Sequence, residues 1–213
     1  MKGLKDMKSM KRGLGLLVFF MSFTFFMSFM AHAKDEGVGV RIETALGVID
    51  IVVDTAHAPI TSANFLKYVD GKLYDGGRFY RVTRPDNYTP APPNRPMMEI
   101  IQGGIDPAKR AQVGSPIPLE RTSVTGLKHV AGTVSMARGT ADSATTEFFI
   151  LLDDQPSLDF GGKRFDDEQG AAAFGHVTSG LDVARKIQQQ NPTRDDRKDY
   201  LVTAVEITRI VRK

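Results

Sequence analysis

The chain contains no cysteine. That excludes a disulfide framework and thiolate chemistry, so the fold must rest on its apolar core alone. Histidine is scarce too, with four in 213 residues. His57, His129 and His176 lie beyond residue 33. His57 has no acidic or histidine neighbour at ligand spacing, and none of the three has convincing partners, so no metal centre is expected. No Ser-His-Asp arrangement is legible, which argues against nucleophilic hydrolysis. A basic field is also missing from most of the chain. The formal charge is +3, but residues 1–33 hold five Lys/Arg and one acid, leaving 23 basic and 24 acidic residues in 34–213. A nearly neutral body does not suit a nucleic-acid partner.

Long apolar runs are absent except at the start. Lys2, Lys5, Lys8, Lys11 and Arg12 precede the apolar stretch Leu14–Met30, and Ala31-His32-Ala33 follows. Basic start, apolar run and A-x-A read as a secretory signal peptide cut after Ala33. The alternative is an uncleaved membrane anchor, because the run is nearly long enough to span a bilayer. Residues 34–213 then form one exported domain, periplasmic or otherwise outside the cytoplasm, with membrane contact only if the leader stays. They show no repeat and no second domain.

Short β-branched runs dominate this body. Val38–Thr44 and Gly47–Asp54 flank a tight turn and read as a hairpin, with Asp50 and Asp54 at solvated positions. Pro59–Lys72 has helical spacing, and Gly180–Gln190 forms a second helix stopped by Asn191-Pro192. Strands are expected at 76–84, 97–104, 133–137, 148–152, 173–177 and 200–211. In GGRFYRVTR, alternation puts Phe79 and Arg81 on one face and Tyr80 and Val82 on the other. Asp86–Pro96 holds four prolines in eleven residues, so it is a loop or polyproline segment. Pro107–Thr125 looks irregular, Glu120-Arg121 looks like a solvated pair, and Lys163–Glu168 a charged exposed loop. Eight strands with two helices fit a mainly β fold: a closed eight-stranded antiparallel β-barrel capped by two α-helices.

The pieces PITSANFLKYV, RFYRV, IIQGG, GTVSMAR, TEFFILL, LD, FGHV and GLDVARKI occur in this order. Together they resemble the cyclophilins, peptidyl-prolyl cis-trans isomerases, from about Val40 to Ile210, and the leader makes the chain look like an exported bacterial member. The resemblance implies an isomerase (EC 5.2.1.8) without cofactor or metal, a monomer acting on proline-containing segments of exported proteins. It places Arg81 on the family's catalytic arginine and Gln102 on its active-site glutamine. Phe149 falls on the floor of the proline pocket, Leu158 on a wall, and Ile100 on a pocket methionine. Ala137 and Arg138 fall where the family's backbone holds the substrate chain. Glu147 replaces a common glutamine and is a candidate partner for Arg81.

The departures lie on the rim. Glu99 takes a phenylalanine position, with Met97 or Met98 available to fill the space. Ala171 replaces a pocket histidine. Ser157 stands where many eukaryotic members have the tryptophan that helps bind cyclosporin, so weak cyclosporin binding is expected. This altered rim motivates an alternative, a proline-peptide-binding chaperone module with little or no turnover.

Overall fold

The computed structural model describes residues 37–87, 95–192 and 198–213. The leader and most of the proline-rich segment lie outside the described residues. Eight strands run β1 (Val38–Thr44), β2 (Gly47–Val53), β3 (Gly77–Thr83), β4 (Ile100–Gly104), β5 (Thr133–Met136), β6 (Phe148–Leu151), β7 (Ala172–Ser179) and β8 (Tyr200–Arg212). They close into an antiparallel barrel in the order β1-β2-β7-β5-β6-β4-β3-β8. The expected hairpin is β1 and β2, in register from Val38 opposite Val53 to Thr44 opposite Gly47.

Helices α1 (Pro59–Asp70) and α3 (Leu181–Gln188) match the two expected ones. Proline at the start of α1 loses no helical hydrogen bond, because the first N–H groups are unpaired anyway. Glu120 accepts from the Ile60 and Thr61 amides at 3.0 and 2.7 Å and satisfies that helix end instead. It is therefore a helix cap, not half of a solvated pair. The stretch 107–125 is also more regular than its prolines suggest. It holds a 3-10 segment at Pro107–Gln112 and a one-turn helix, α2 (Thr122–Thr125).

Both long helices pack on the barrel's interior. Phe65, Leu66, Tyr68 and Val69 from α1, and Val183, Ala184 and Ile187 from α3, join the inward row of strand residues in one buried cluster. Phe148 sits among the rings, edge-on to Phe65 at 5.5 Å, to Tyr74 at 5.5 Å and to Phe79 at 5.7 Å. Asp50 is not solvated as alternation suggests. It is only 8% exposed, and it accepts from Arg41 at 2.8 and 3.0 Å and from Lys213 at 3.0 Å. These bonds pull its carboxyl down to about 2. Asp54 caps its own turn, accepting from the His57 amide at 2.8 Å and the His57 ring at 2.9 Å.

Candidate active site

The site begins with a slip in register. Phe79 pairs with Gly103 and Arg81 with Gln102, so Tyr80 is one residue too many for β4. Such a bulge turns two successive side chains to the same face. Phe79 and Val82 are both fully buried in the interior, while Tyr80 and Arg81 both lie half-buried outside it. Strict alternation had paired Phe79 with Arg81; the bulge overturns that.

The outward groups form one hydrogen-bonded row. Asp199 accepts from Arg81 Nε at 2.6 Å. Arg81 Nη1 donates to Gln102 Oε1 at 2.9 Å, and Gln102 Nε2 donates to the Tyr80 hydroxyl at 2.9 Å. Tyr80 donates to Glu147 Oε2 at 2.6 Å. Arg81 therefore pairs with Asp199, and Glu147 reaches it only through Tyr80 and Gln102. This corrects the direct Arg81–Glu147 pair considered from the sequence. Two of the five guanidinium N–H donors are used, and among the described residues the others are uncommitted.

Burial pushes the Glu147 carboxyl up, against the opposing pull of the Tyr80 bond and Arg110. Burial, then the Glu147 charge, drives the Tyr80 hydroxyl far upward, so it remains a donor. Glycine at 104 makes this seat possible: a Cβ there would lie 2.2 Å from a Glu147 carboxyl oxygen. Beside the row lies a cleft of about 600 Å³ bounded by Arg78, Tyr80, Arg110, Thr145 and Glu147.

Next to the polar row is a second apolar cluster, outside the barrel. β4 sets Ile100 opposite Leu151 and Gln102 opposite Phe149. Alternation then turns all four outward together. Ile100, Phe149 and Leu158, the three pocket residues named from the sequence, do come together, with Met98, Leu151 and Ala171. Met98 joins this cluster, whereas Glu99 turns away to accept from Gln188 on α3 at 3.1 Å. Ala137 packs against the cluster's edge, and its amide donates to the Glu147 carbonyl at 2.8 Å.

Three features escaped the sequence. Arg138 does not aim its side chain at a ligand. The side chain is 1% exposed and binds Asp167 at 2.7 Å, with its guanidinium 3.7 Å over the ring of Phe165. Phe165, from the loop read as merely charged, packs on the outer cluster. His129 also has partners: Nδ1 lies 2.8 Å from Asp159 Oδ1, and Nε2 lies 3.0 Å from Ser135 Oγ. A Ser-His-Asp row therefore exists, contrary to the expectation. Ser135 is fully buried and His129 is 1% exposed, so no substrate reaches it. It instead ties Asp159, beside pocket residue Leu158, to β5 behind Phe149. Asp159 lies 30 residues beyond His129 in sequence, and only the folded barrel brings the three into line. Among the described residues no cluster of three or more His, Cys, Asp or Glu is placed to hold a metal ion.

The chain is similar to known proteins. The family model for cyclophilin type peptidyl-prolyl cis-trans isomerases matches residues 39–211. The peptidyl-prolyl cis-trans isomerase A of Dickeya dadantii is 34% identical over 180 residues, covering 84% of this chain and 85% of that protein. A peptidyl-prolyl cis-trans isomerase of Acinetobacter baylyi is 36% identical over 158 residues, 74% of each chain. The crystal structure of a cyclophilin type isomerase from Cryptosporidium parvum superposes with a TM-score of 0.64 at 20% identity, over 83% of this chain and 97% of that one. The barrel order, the Arg81–Gln102 pair beside an outer apolar cluster, and a family match over nearly all the described residues lead to one conclusion: the chain belongs to the cyclophilin-type peptidyl-prolyl cis-trans isomerases.

Proposed function

We propose that the outer cluster receives the prolyl ring of an extended peptide and that Arg81 lowers the barrier to rotation about the preceding amide. That barrier is about 18–20 kcal/mol, and uncatalysed exchange takes tens to hundreds of seconds. No bond is broken, so the reaction needs only a site that favours the twisted amide over both planar forms. Twisting ends the resonance and leaves a lone pair on the prolyl nitrogen. An uncommitted Arg81 N–H directed at that nitrogen or the adjoining carbonyl stabilises the twisted state. Phe149, Ile100 and Leu158 hold the ring. Gln102 orients Arg81, and Ala137 and Arg138 offer backbone to the peptide. Glu147, through Tyr80, keeps Gln102 turned the right way. The cleft between Arg78 and Arg110 leaves room for a flanking residue.

The observation that carries this reading is Arg81, fixed by Asp199 at 2.6 Å and by Gln102 at 2.9 Å, beside the outer apolar cluster. A chromogenic peptide assay of the full chain tests it. The expected result is acceleration by the wild type and about a 100-fold loss of kcat/KM in Arg81→Ala. A wild type that binds the peptide without accelerating exchange would instead make the chain a proline-binding chaperone module. One neighbouring structure, of the Cryptosporidium parvum isomerase, was obtained in the presence of the dipeptide Ala-Pro.

The site of action proposed is outside the cytoplasm, on exported clients, because residues 1–33 have the pattern of a signal peptide. Fractionation and N-terminal sequencing test this: a mature chain starting at Lys34 is expected, and an intact leader in the cytosolic fraction overturns it.

A further inference from the structure

The loop between Leu158 and β7 places one aromatic ring on the outer pocket. Every buried member of that cluster is at most 6% exposed; Ala137 and Phe165 are its partly buried members. Phe165 is therefore the more exposed of the cluster's two rings.

Phe165 is not on a loose flap. The Arg138 guanidinium lies 3.7 Å over its ring, a cation–π contact strengthened by the near-complete burial of that arginine. The same guanidinium donates to both Asp167 oxygens at 2.7 and 2.8 Å, and its Nε donates to the Gly170 carbonyl at 2.6 Å. Arg138 pulls the Asp167 carboxyl down to about 2, so the pair stays ionised at neutral pH. Further ties run from the Arg164 amide to the Ser157 carbonyl at 3.0 Å, from the Ala171 amide to the Leu158 carbonyl at 2.9 Å, and from Arg121 Nε to Gln169 at 2.5 Å.

The loop also packs against residue 157. Gly162 runs so close that a Cβ on it would lie 2.3 Å from the Ser157 carbonyl oxygen. Among the described residues the buried Ser157 hydroxyl has no hydrogen-bond partner. The Arg164 amide bound to the Ser157 carbonyl brings the neighbouring ring of Phe165 to the same part of the rim.

We propose that Phe165 is a substrate-binding residue of this chain, an aromatic wall against which the prolyl ring packs, with Arg138 and Asp167 as the clamp that positions it. This rests on the isomerase reading above. Apolar rings pack favourably on aromatic surfaces, and a pre-placed wall adds affinity without an ordering cost at binding.

Steady-state kinetics of the full chain with a chromogenic prolyl tetrapeptide test it, using Phe165→Ala, Phe165→Trp and Asp167→Asn. Phe165→Ala is expected to raise KM about three- to tenfold with kcat nearly unchanged. Phe165→Trp is expected to restore KM, which a merely structural role would not demand. Asp167→Asn is expected to raise KM by a smaller factor by loosening the clamp. An unchanged KM in Phe165→Ala overturns the proposal. So does a lowered KM, which would make the ring a plug. If circular dichroism shows that Phe165→Ala is unfolded, an unchanged KM in Asp167→Asn overturns it instead. A wild type without isomerase activity defeats the isomerase reading alone, and peptide-binding titrations of the same variants then decide the role of Phe165.

Discussion

β4 and β6 build two apolar clusters at once, one on each face. Ile101, Phe148 and Ile150 turn into the barrel, while Ile100, Phe149 and Leu151 turn out of it. The inner cluster takes side chains from all parts of the fold and is covered by α1 and α3. The outer one has six buried members and is covered by loop residues. Period-two alternation lets one strand contribute stability on one face and a ligand surface on the other. The lesson is that burial does not separate the two roles. Phe148 and Phe149 are 0% and 4% exposed, yet only the second adjoins the Arg81 row.

Adjacent substitutions put that difference at risk. Phe148→Ala removes a ring packed by three aromatic neighbours and should cost about 3–5 kcal/mol in urea unfolding. Phe149→Ala should cost less stability and more of the peptide affinity. Equal losses of stability with equal losses of activity would erase the distinction. Arg81→Ala should fall at the other extreme, with its roughly 100-fold kinetic loss and a nearly unchanged melting temperature. A large drop in melting temperature would make the polar row structural.

A smaller effect is expected along the row itself. Tyr80→Phe removes both the acceptor for Gln102 and the donor to Glu147, and should lower kcat about fivefold. Because burial raises the Glu147 carboxyl above its ordinary value of 4.5, its protonation on acidification should produce an activity inflection above pH 4.5. Glu147→Gln can still accept from Tyr80 and should remove the inflection while keeping most of the neutral-pH rate. A persisting inflection would assign it elsewhere. The smallest effect concerns the barrel seam. Asp50 is held at about 2, below its ordinary 3.8, so its ion pairs stabilise the fold above about pH 4 and are lost as pH falls toward 2. Asp50→Asn should flatten acid unfolding in that window and leave peptide kinetics unchanged.

Much of this was legible in the sequence. Short β-branched runs and turn residues marked the strands, because alternation records which face is buried. Arg81, Gln102, Ile100, Phe149 and Leu158 were marked by motifs, and they do converge. What alternation cannot carry is a change of phase. The bulge at Tyr80 breaks the rule at one residue, so the Tyr80 link was invisible and Glu147 was given the wrong partner. Likewise Arg138 and Asp167 are separated by 29 residues, and nothing local tells a charged loop to fold onto a pocket. The His129 row was missed for the same reason, since its three members meet only after closure.

The closure of β1 against β8 has a consequence of its own. An open sheet edge offers unpaired amides and carbonyls to any extended strand, and so invites templated aggregation. A catalyst that repeatedly meets extended peptides runs that hazard constantly. With every strand of the described barrel paired on both sides, a peptide finds no ladder to join. It can be gripped at its proline and still leave.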